Sequence, residues 1–237
     1  MKKSPAPNSL TLRTYQVGFG DCFLLTFHYP GGQRNRNVLI DFGSTRAPSD
    51  AFLKSLPSRL PPHLQGKIRN LKSPVTPAQL MRLIAFDIAH VSDGQLDVVV
   101  ATHRHKDHIS GFATTTRGNG PGDIIRGLNP HLVVMPWTEH PKAKTDAKEA
   151  PEAITRNQSF AAALSGMNLF AAAIENEAAR MIQARLDAGK TSRAPSLDTL
   201  RFTGENNVAN RSAIENLMTM GRRTVYVNFG SPQARAA

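Results

Sequence analysis

Residues 10–16 (LTLRTYQ) alternate apolar and polar side chains, the period-two pattern of a half-buried strand. Residues 17–21 (VGFGD) read as a turn, and residues 22–29 (CFLLTFHY) as a second strand with a nearly continuous apolar face. After the loop opened by Pro30, Gly31 and Gly32, residues 38–41 (VLID) form a short third strand that ends at Phe42 and Gly43. These three strands predict a β-meander. Helical spacing follows. Ser49 is placed to cap a short helix over residues 51–56, ended by Pro57, and the prolines and glycines of residues 60–74 predict a loop. Thr76 and Pro77 supply a cap and a proline at the first helical position, opening a helix to about His90 with Leu80, Leu83, Ile84 and Ile88 on one face. Residues 97–101 (DVVVA) are too few and too β-branched for a helix, so they predict a buried strand.

Beyond that strand, residues 118–122 read as a flexible tip and residues 131–135 as a strand stopped by Pro136. Residues 141–158 begin with a polar, lysine-bearing stretch and predict an exposed insertion or linker. An Ala-rich helix is expected over residues 159–189, a helix capped by Asn210 or Ser212 and ending at Gly221, and a last strand over residues 224–229 (TVYVNF). The chain contains no internal repeat. The order of elements predicts an α/β (α+β) fold, and 237 residues allow one large domain or two small ones.

Composition narrows the picture. An apolar fraction of 40% in 237 residues is enough for a sizeable core and too high for a disordered chain. No run of 18 apolar residues exists, and Pro5, Pro7 and Asn8 interrupt the place where a signal peptide would need its apolar segment. The expectation is a cytoplasmic protein with no membrane segment. Cys22 is the only cysteine, which excludes an internal disulfide and a multi-cysteine zinc site. The net charge of +11 is diffuse: residues 1–100 carry 12 Lys and Arg against 6 Asp and Glu, and the remainder 17 against 12. That excess suits contact with polyanions and equally suits a solvated surface. Aromatic residues at 6% make a base-stacking platform a poor fit.

The chemistry concentrates directly after the predicted strand at residues 97–101. His103, His105, Asp107 and His108 form a His-x-His-x-Asp-His pattern within six residues. On an extended strand end, residues two apart point the same way, so His103 and His105 can present imidazoles to one metal ion. A tightening turn would then swing Asp107 and His108 toward a second. Neutral imidazole and carboxylate suit zinc, and also manganese or iron where oxygen donors dominate. Without a metal, three clustered imidazoles beside Arg104 and Lys106 would repel one another when protonated.

With these residues in hand, the chain resembles the metallo-β-lactamase superfamily. Residues 102–111 (THRHKDHISG) look like its signature loop, residues 17–25 (VGFGDCFLL) resemble a turn of the subgroup that includes the hydrolase domain of DNA-uptake channel proteins, and residues 38–43 (VLIDFG) resemble the strand end between them. The resemblance covers residues 10–112 well and thins afterwards. It implies a single domain over residues 1–237, an αββα sandwich with two zinc ions, His103 and His105 holding the first and Asp107 and His108 the second. It further implies a metal-bound hydroxide, oriented by Asp107 as the catalytic carboxylate, attacking an ester or phosphodiester bond. Asp21 and Asp41 stand on neighbouring turns, either as hydrogen-bond partners of the ligating imidazoles or as aspartates that stabilise their own turns.

The family uses further ligands from its C-terminal half. His131 and His140 lack the Gly-x-His or His-His-Gly setting, and Asp123, Asp146, Asp187 and Asp198 lack the Gly-Asp setting, so none of the six is expected to ligate. The expectation is therefore an incomplete sandwich: the N-terminal half to two-thirds of a longer hydrolase, or a chain that completes its sheet as a homodimer. The substrate is expected to be a small molecule or a nucleic acid. The alternative is a catalytically inactive module that binds metal or nucleic acid.

Overall fold

The computed structural model describes residues 5–136, 139, 180, 181, 183, 184, 187 and 211–227. Six strands form one mixed sheet in the order β1-β2-β3-β4-β5-β6. β1 (Ser9–Thr14), β2 (Cys22–His28) and β3 (Arg36–Phe42) pair antiparallel as a meander, as the alternation predicts. β4 (Val98–Val100), β5 (Leu132–Pro136) and β6 (Arg223–Val227) then add in parallel. A parallel neighbour needs a crossover, and α2 (Pro77–Val91) lies in the connection from β3 to β4. Its start is the capping box of Thr76 and Gln79, each side chain bonded to the other's backbone nitrogen. The chain is thus α/β at the level of its architecture.

One face of the sheet is the core. Leu24, Leu39, Val99 and Val133 stand in register across four strands, each with no exposed surface. Leu80, Leu83, Ile84 and Ile88, the face predicted for α2, are all buried in that core. The other face also carries apolar side chains in register: Leu12, Leu25, Val38, Val98 and Leu132. There Leu25, Val38, Val98 and Leu132 are only half-buried, and on β1 Leu10 and Leu12 are 52% and 58% exposed.

Two local expectations are corrected. Pro57 does not end α1 (Asp50–Arg59) but lies inside it. Proline removes the amide that would bond the carbonyl of Leu53, and that carbonyl instead accepts from the Val75 amide at 3.2 Å. The helix survives because the loop that leads into α2 supplies the missing donor. Likewise the expected tip at residues 118–122 runs into α4 (Pro121–Gly127). The Asp123 carboxylate accepts from the amides of Gly120 and Thr115 at 2.8 and 2.9 Å, which organises the start of a helix that its glycines and proline disguise.

The insertion or linker expected at 141–158 lies outside the described residues. Of the helix expected at 159–189, only Arg180, Met181, Gln183, Ala184 and Asp187 are described, and they are helical and exposed. The helix before β6 is α5 (Arg211–Thr219), and β6 is the alternating strand expected there, described as far as Val227.

Candidate metal centre

The His103–His108 segment leaves the C-terminal end of β4 and folds into α3 (Lys106–Ile109), followed by a 3-10 turn (Ser110–Phe112). Ile109 and Phe112 anchor this turn in the core with no exposed surface, and the Phe112 ring meets Phe42 edge-on at 5.7 Å. The polar residues between β4 and these anchors are thereby fixed at the sheet's end.

Two loops press onto α3 from the side. The Asp21 amide donates to the Asp107 carbonyl at 3.1 Å, and the Gly43 amide donates to the Asp21 carbonyl at 3.1 Å. A Cβ on Gly43 would lie 2.5–2.6 Å from backbone atoms of Asp107 and His108, so only glycine permits this approach. The Ser44 amide donates to the Ser110 hydroxyl at 2.9 Å, and that hydroxyl donates back to the Ser44 carbonyl at 3.1 Å.

Asp41 occupies the irregularity where β3 slips against β2 between Cys22 and Phe23. Its φ is +50°, a left-handed conformation that aspartate tolerates better than most side chains. The bulge turns its carboxylate toward the end of β4. One oxygen accepts from the Thr102 amide at 2.8 Å; the other accepts from the Thr102 hydroxyl at 2.7 Å and from His108 Nδ1 at 2.8 Å. Asp41 is 3% exposed. A buried carboxylate with three donors is a fully satisfied group, and it fixes which nitrogen of His108 carries the proton. Nε2 of His108 is then the open nitrogen, 3.5 Å from the Asp107 carboxylate.

Ligand atoms of His103, Asp107 and His108 all lie within 4.8 Å of one another, and the His103 and His108 ring centroids are 3.8 Å apart. A second group within the same limit joins Asp21, Asp41 and His108. The structure therefore brings the signature residues together in a grouping different from the pairwise one expected. His105 precedes α3 in extended conformation, is exposed, and stands edge-on to His103 at 4.6 Å without joining either group. Helical winding from Lys106 onward is the cause, because it carries Asp107 and His108 back against His103.

Burial, with the neighbouring His108 and His105, depresses the pKa of His103 below its ordinary value, against the opposing pull of Asp41 and Asp107. Depression keeps the ring neutral, the form that ligates. The donor set, two imidazoles and a half-buried carboxylate with an outer carboxylate on one ring, fits a divalent cation.

Sequence reasoning missed two neighbours. Thr102 joins Asp41 to the His103 ring, its hydroxyl 3.1 Å from Nδ1. Glu139 lies 3.5 Å from the Arg104 guanidinium; burial raises its carboxyl pKa, with Arg104 and His105 opposing the shift. Thr102 directly precedes the cluster, but its part depends on Asp41, 61 residues away, and Glu139 meets the site only through tertiary folding. Of the residues discounted as ligands, His131 is exposed, Asp123 serves the start of α4, and Asp187 accepts from Gln183 on an exposed helical surface. His140, Asp146 and Asp198 lie outside the described residues.

No family model, curated protein or solved structure matches this chain. Among the described residues, no helix is long and apolar enough to cross a membrane.

Proposed function

We propose that the chain is a metal-dependent hydrolase of an ester or phosphodiester, built on the metallo-β-lactamase plan. The observation that carries the reading is the convergence of His103, Asp107 and His108 within 4.8 Å, with the buried Asp41 bonded to the far nitrogen of His108. Carboxylate–histidine pairs of this kind orient a ring and raise its basicity toward a metal. The plan of the fold gives further support. Helices bury one face of the sheet, while the apolar residues of the other face remain half-exposed, as in one half of an αββα sandwich.

His103, Asp107 and His108 would hold zinc, and manganese or iron are the alternatives for a site richer in oxygen donors. A bound divalent ion supplies Lewis acidity and activates water near neutral pH. The chain's own residues do the positioning. Asp41 and Thr102 set the His108 tautomer, the neutral His103 keeps a free donor, and Asp107 lies where its carboxylate orients water and takes its proton. Asp21, with 43% of its side chain exposed and an oxygen 3.5 Å from His108 Nδ1, flanks the same ring. His105 stands beside the group for a second ion.

The test combines metal analysis with turnover. Purified protein should retain zinc after desalting and hydrolyse bis(p-nitrophenyl) phosphate or p-nitrophenyl acetate, and His103→Ala and Asp107→Asn should each abolish turnover. Metal retained with no turnover of either ester would favour the inactive metal-binding module. Absence of retained metal would overturn both readings.

A further inference from the structure

A cavity of about 350 Å³ lies against the same short helix as the metal ligands but on its other side. Lys106 and Ser110 line it, and residues four apart share a helical face. Asp107 and His108 are turned about 100° and 200° away from Lys106 at 3.6 residues per turn. The cavity is therefore separate from the imidazole cluster although one turn of chain serves both.

Its walls are mostly apolar, from Val17, Ala47, Ala78 and Met81 among others, and its charged groups are Arg46 and Lys106. Neither cation has an ion pair or side-chain hydrogen bond to any described residue. The backbone beneath Arg46 is nonetheless fixed, because its carbonyl accepts from the Phe19 amide at 2.8 Å and from the Ser44 hydroxyl at 2.9 Å. Ala78 belongs to the first turn of the 15-residue α2, whose backbone dipole adds potential of the same sign.

Two cations that no described residue pairs, at an apolar cavity, face a weaker dielectric on one side, which strengthens their attraction for an anion entering it. The volume falls at the small-molecule end of ligand sites, about 300–1,000 Å³. A polymer would need a continuous basic stripe, whereas this is a half-open, mostly apolar space with two cations at its wall. From Arg46 and Lys106, unpaired among the described residues, over these apolar walls we infer a binding site for a small amphiphilic anion, an apolar chain or ring bearing one carboxylate or phosphate. The site lies outside the imidazole cluster and does not depend on a metal there.

Calorimetric titration of the full chain with octanoate, octyl phosphate, octylamine and octanol tests this, on metal-stripped and on zinc-supplemented protein. At least one of the two anions should bind saturably with one-to-one stoichiometry in both preparations, and which of them does so separates a carboxylate ligand from a phosphate ligand. Octylamine and octanol should bind at least about tenfold more weakly, the scale of a lost charge-assisted hydrogen bond. Arg46→Gln and Lys106→Gln should each weaken the anion by a similar factor while the thermal transition remains in place. Both side chains reach the protein surface, so the two variants back each other if one fails to fold. The site is refuted if neither anion saturates the folded chain, or if octanol matches them. It is also refuted if affinity survives both charge removals but is lost in His103→Ala, which would place the anion at the imidazole cluster. Failure of zinc retention alone would sink the hydrolase reading and leave this site standing.

Discussion

Asp41 Oδ2 accepts a hydrogen bond from His108 Nδ1 at 2.8 Å across a separation of 67 residues, joining a bulged strand end to the candidate metal centre. The bond makes His108 Nε2 the open nitrogen, and its energetic value lies in the burial of both partners, 4% and 16% exposed in their side chains. Asp41→Asn keeps the size and the tolerance of a positive φ but removes the charge that favours this tautomer. Zinc affinity should fall about 10–100-fold, the usual effect of losing an outer carboxylate. Competition with a chromogenic chelator measures it. Unchanged affinity would show that Asp41 serves only its own turn and Thr102.

Gly43 should tolerate no side chain. Its hypothetical Cβ meets backbone rather than a movable side-chain end, so Gly43→Ala must push α3 away from the loop carrying Gly43. The expected cost is about 1–3 kcal/mol, typical of overpacking. Because the displaced atoms belong to Asp107 and His108, zinc affinity should fall together with the urea midpoint. A fall in stability with undisturbed zinc binding would mean that the loop, not α3, gives way.

How far the sequence could be read follows from where each signal lies. The alternation over 10–16 and the apolar run over 22–29 marked the strands of the meander, although β1 does not show the half-burial expected, with Leu10 and Leu12 mostly exposed at the sheet's edge. The apolar spacing of α2 marked its buried face, because periodicity and burial agree there. The place of the candidate metal centre was legible for a different reason: His103, His105, Asp107 and His108 fall within six residues. The bulge at Asp41 was not, since a strand slip depends on the pairing partner and leaves no mark in VLID. The course of α1 past Pro57 depends on a donor from Val75, and α4 on a carboxylate three residues into a stretch of glycine and proline. The grouping of His103 with Asp107 and His108, apart from His105, required knowing that α3 winds up immediately after His105. Extended geometry would have paired the residues differently.

Asn216 is the strongest case of a residue without a sequence signal. It is 2% exposed on α5, and its amide donates to the carbonyls of Phe112 and Gly122 at 2.8 and 3.1 Å while its carbonyl accepts from Arg126 at 2.9 Å. It therefore ties the turn that follows α3 to α4. Asn216→Leu leaves two buried carbonyls without these donors, at about 1–3 kcal/mol for each unsatisfied group. Chemical denaturation should show a loss of at least about 2 kcal/mol. A loss below the size of one hydrogen bond would mean that water reaches those carbonyls.

Asp97 fixes the register at the opposite end of the sheet, and its ionisation makes that register sensitive to pH. Its carboxylate accepts from the Arg34 guanidinium, from Arg36 at 2.8 Å and from the Asn37 amide at 2.8 Å, just before Val38 pairs with Val98. Burial alone would raise its pKa, but the hydrogen bonds from Arg34, the Asn37 amide and Arg36 outweigh it and hold the group below the usual aspartate range. A carboxyl depressed in the folded state stabilises the fold fully above its unfolded pKa, about 3.9, and loses that contribution as pH falls through the folded value. Asp97→Asn should accordingly destabilise the chain at pH 7 and at pH 5 by the same amount. Because Arg34 and Arg36 are 37% and 56% exposed, solvent and salt limit the ionic part, and about 1–2 kcal/mol is expected. At pH 3 the gap between wild type and variant should narrow, since below about 3.9 the carboxyl of the unfolded chain takes up a proton that the folded chain, with its depressed pKa, binds less readily. Urea midpoints at the three pH values decide it: a gap that stays constant down to pH 3 would assign the stabilisation to shape and neutral hydrogen bonding instead of charge.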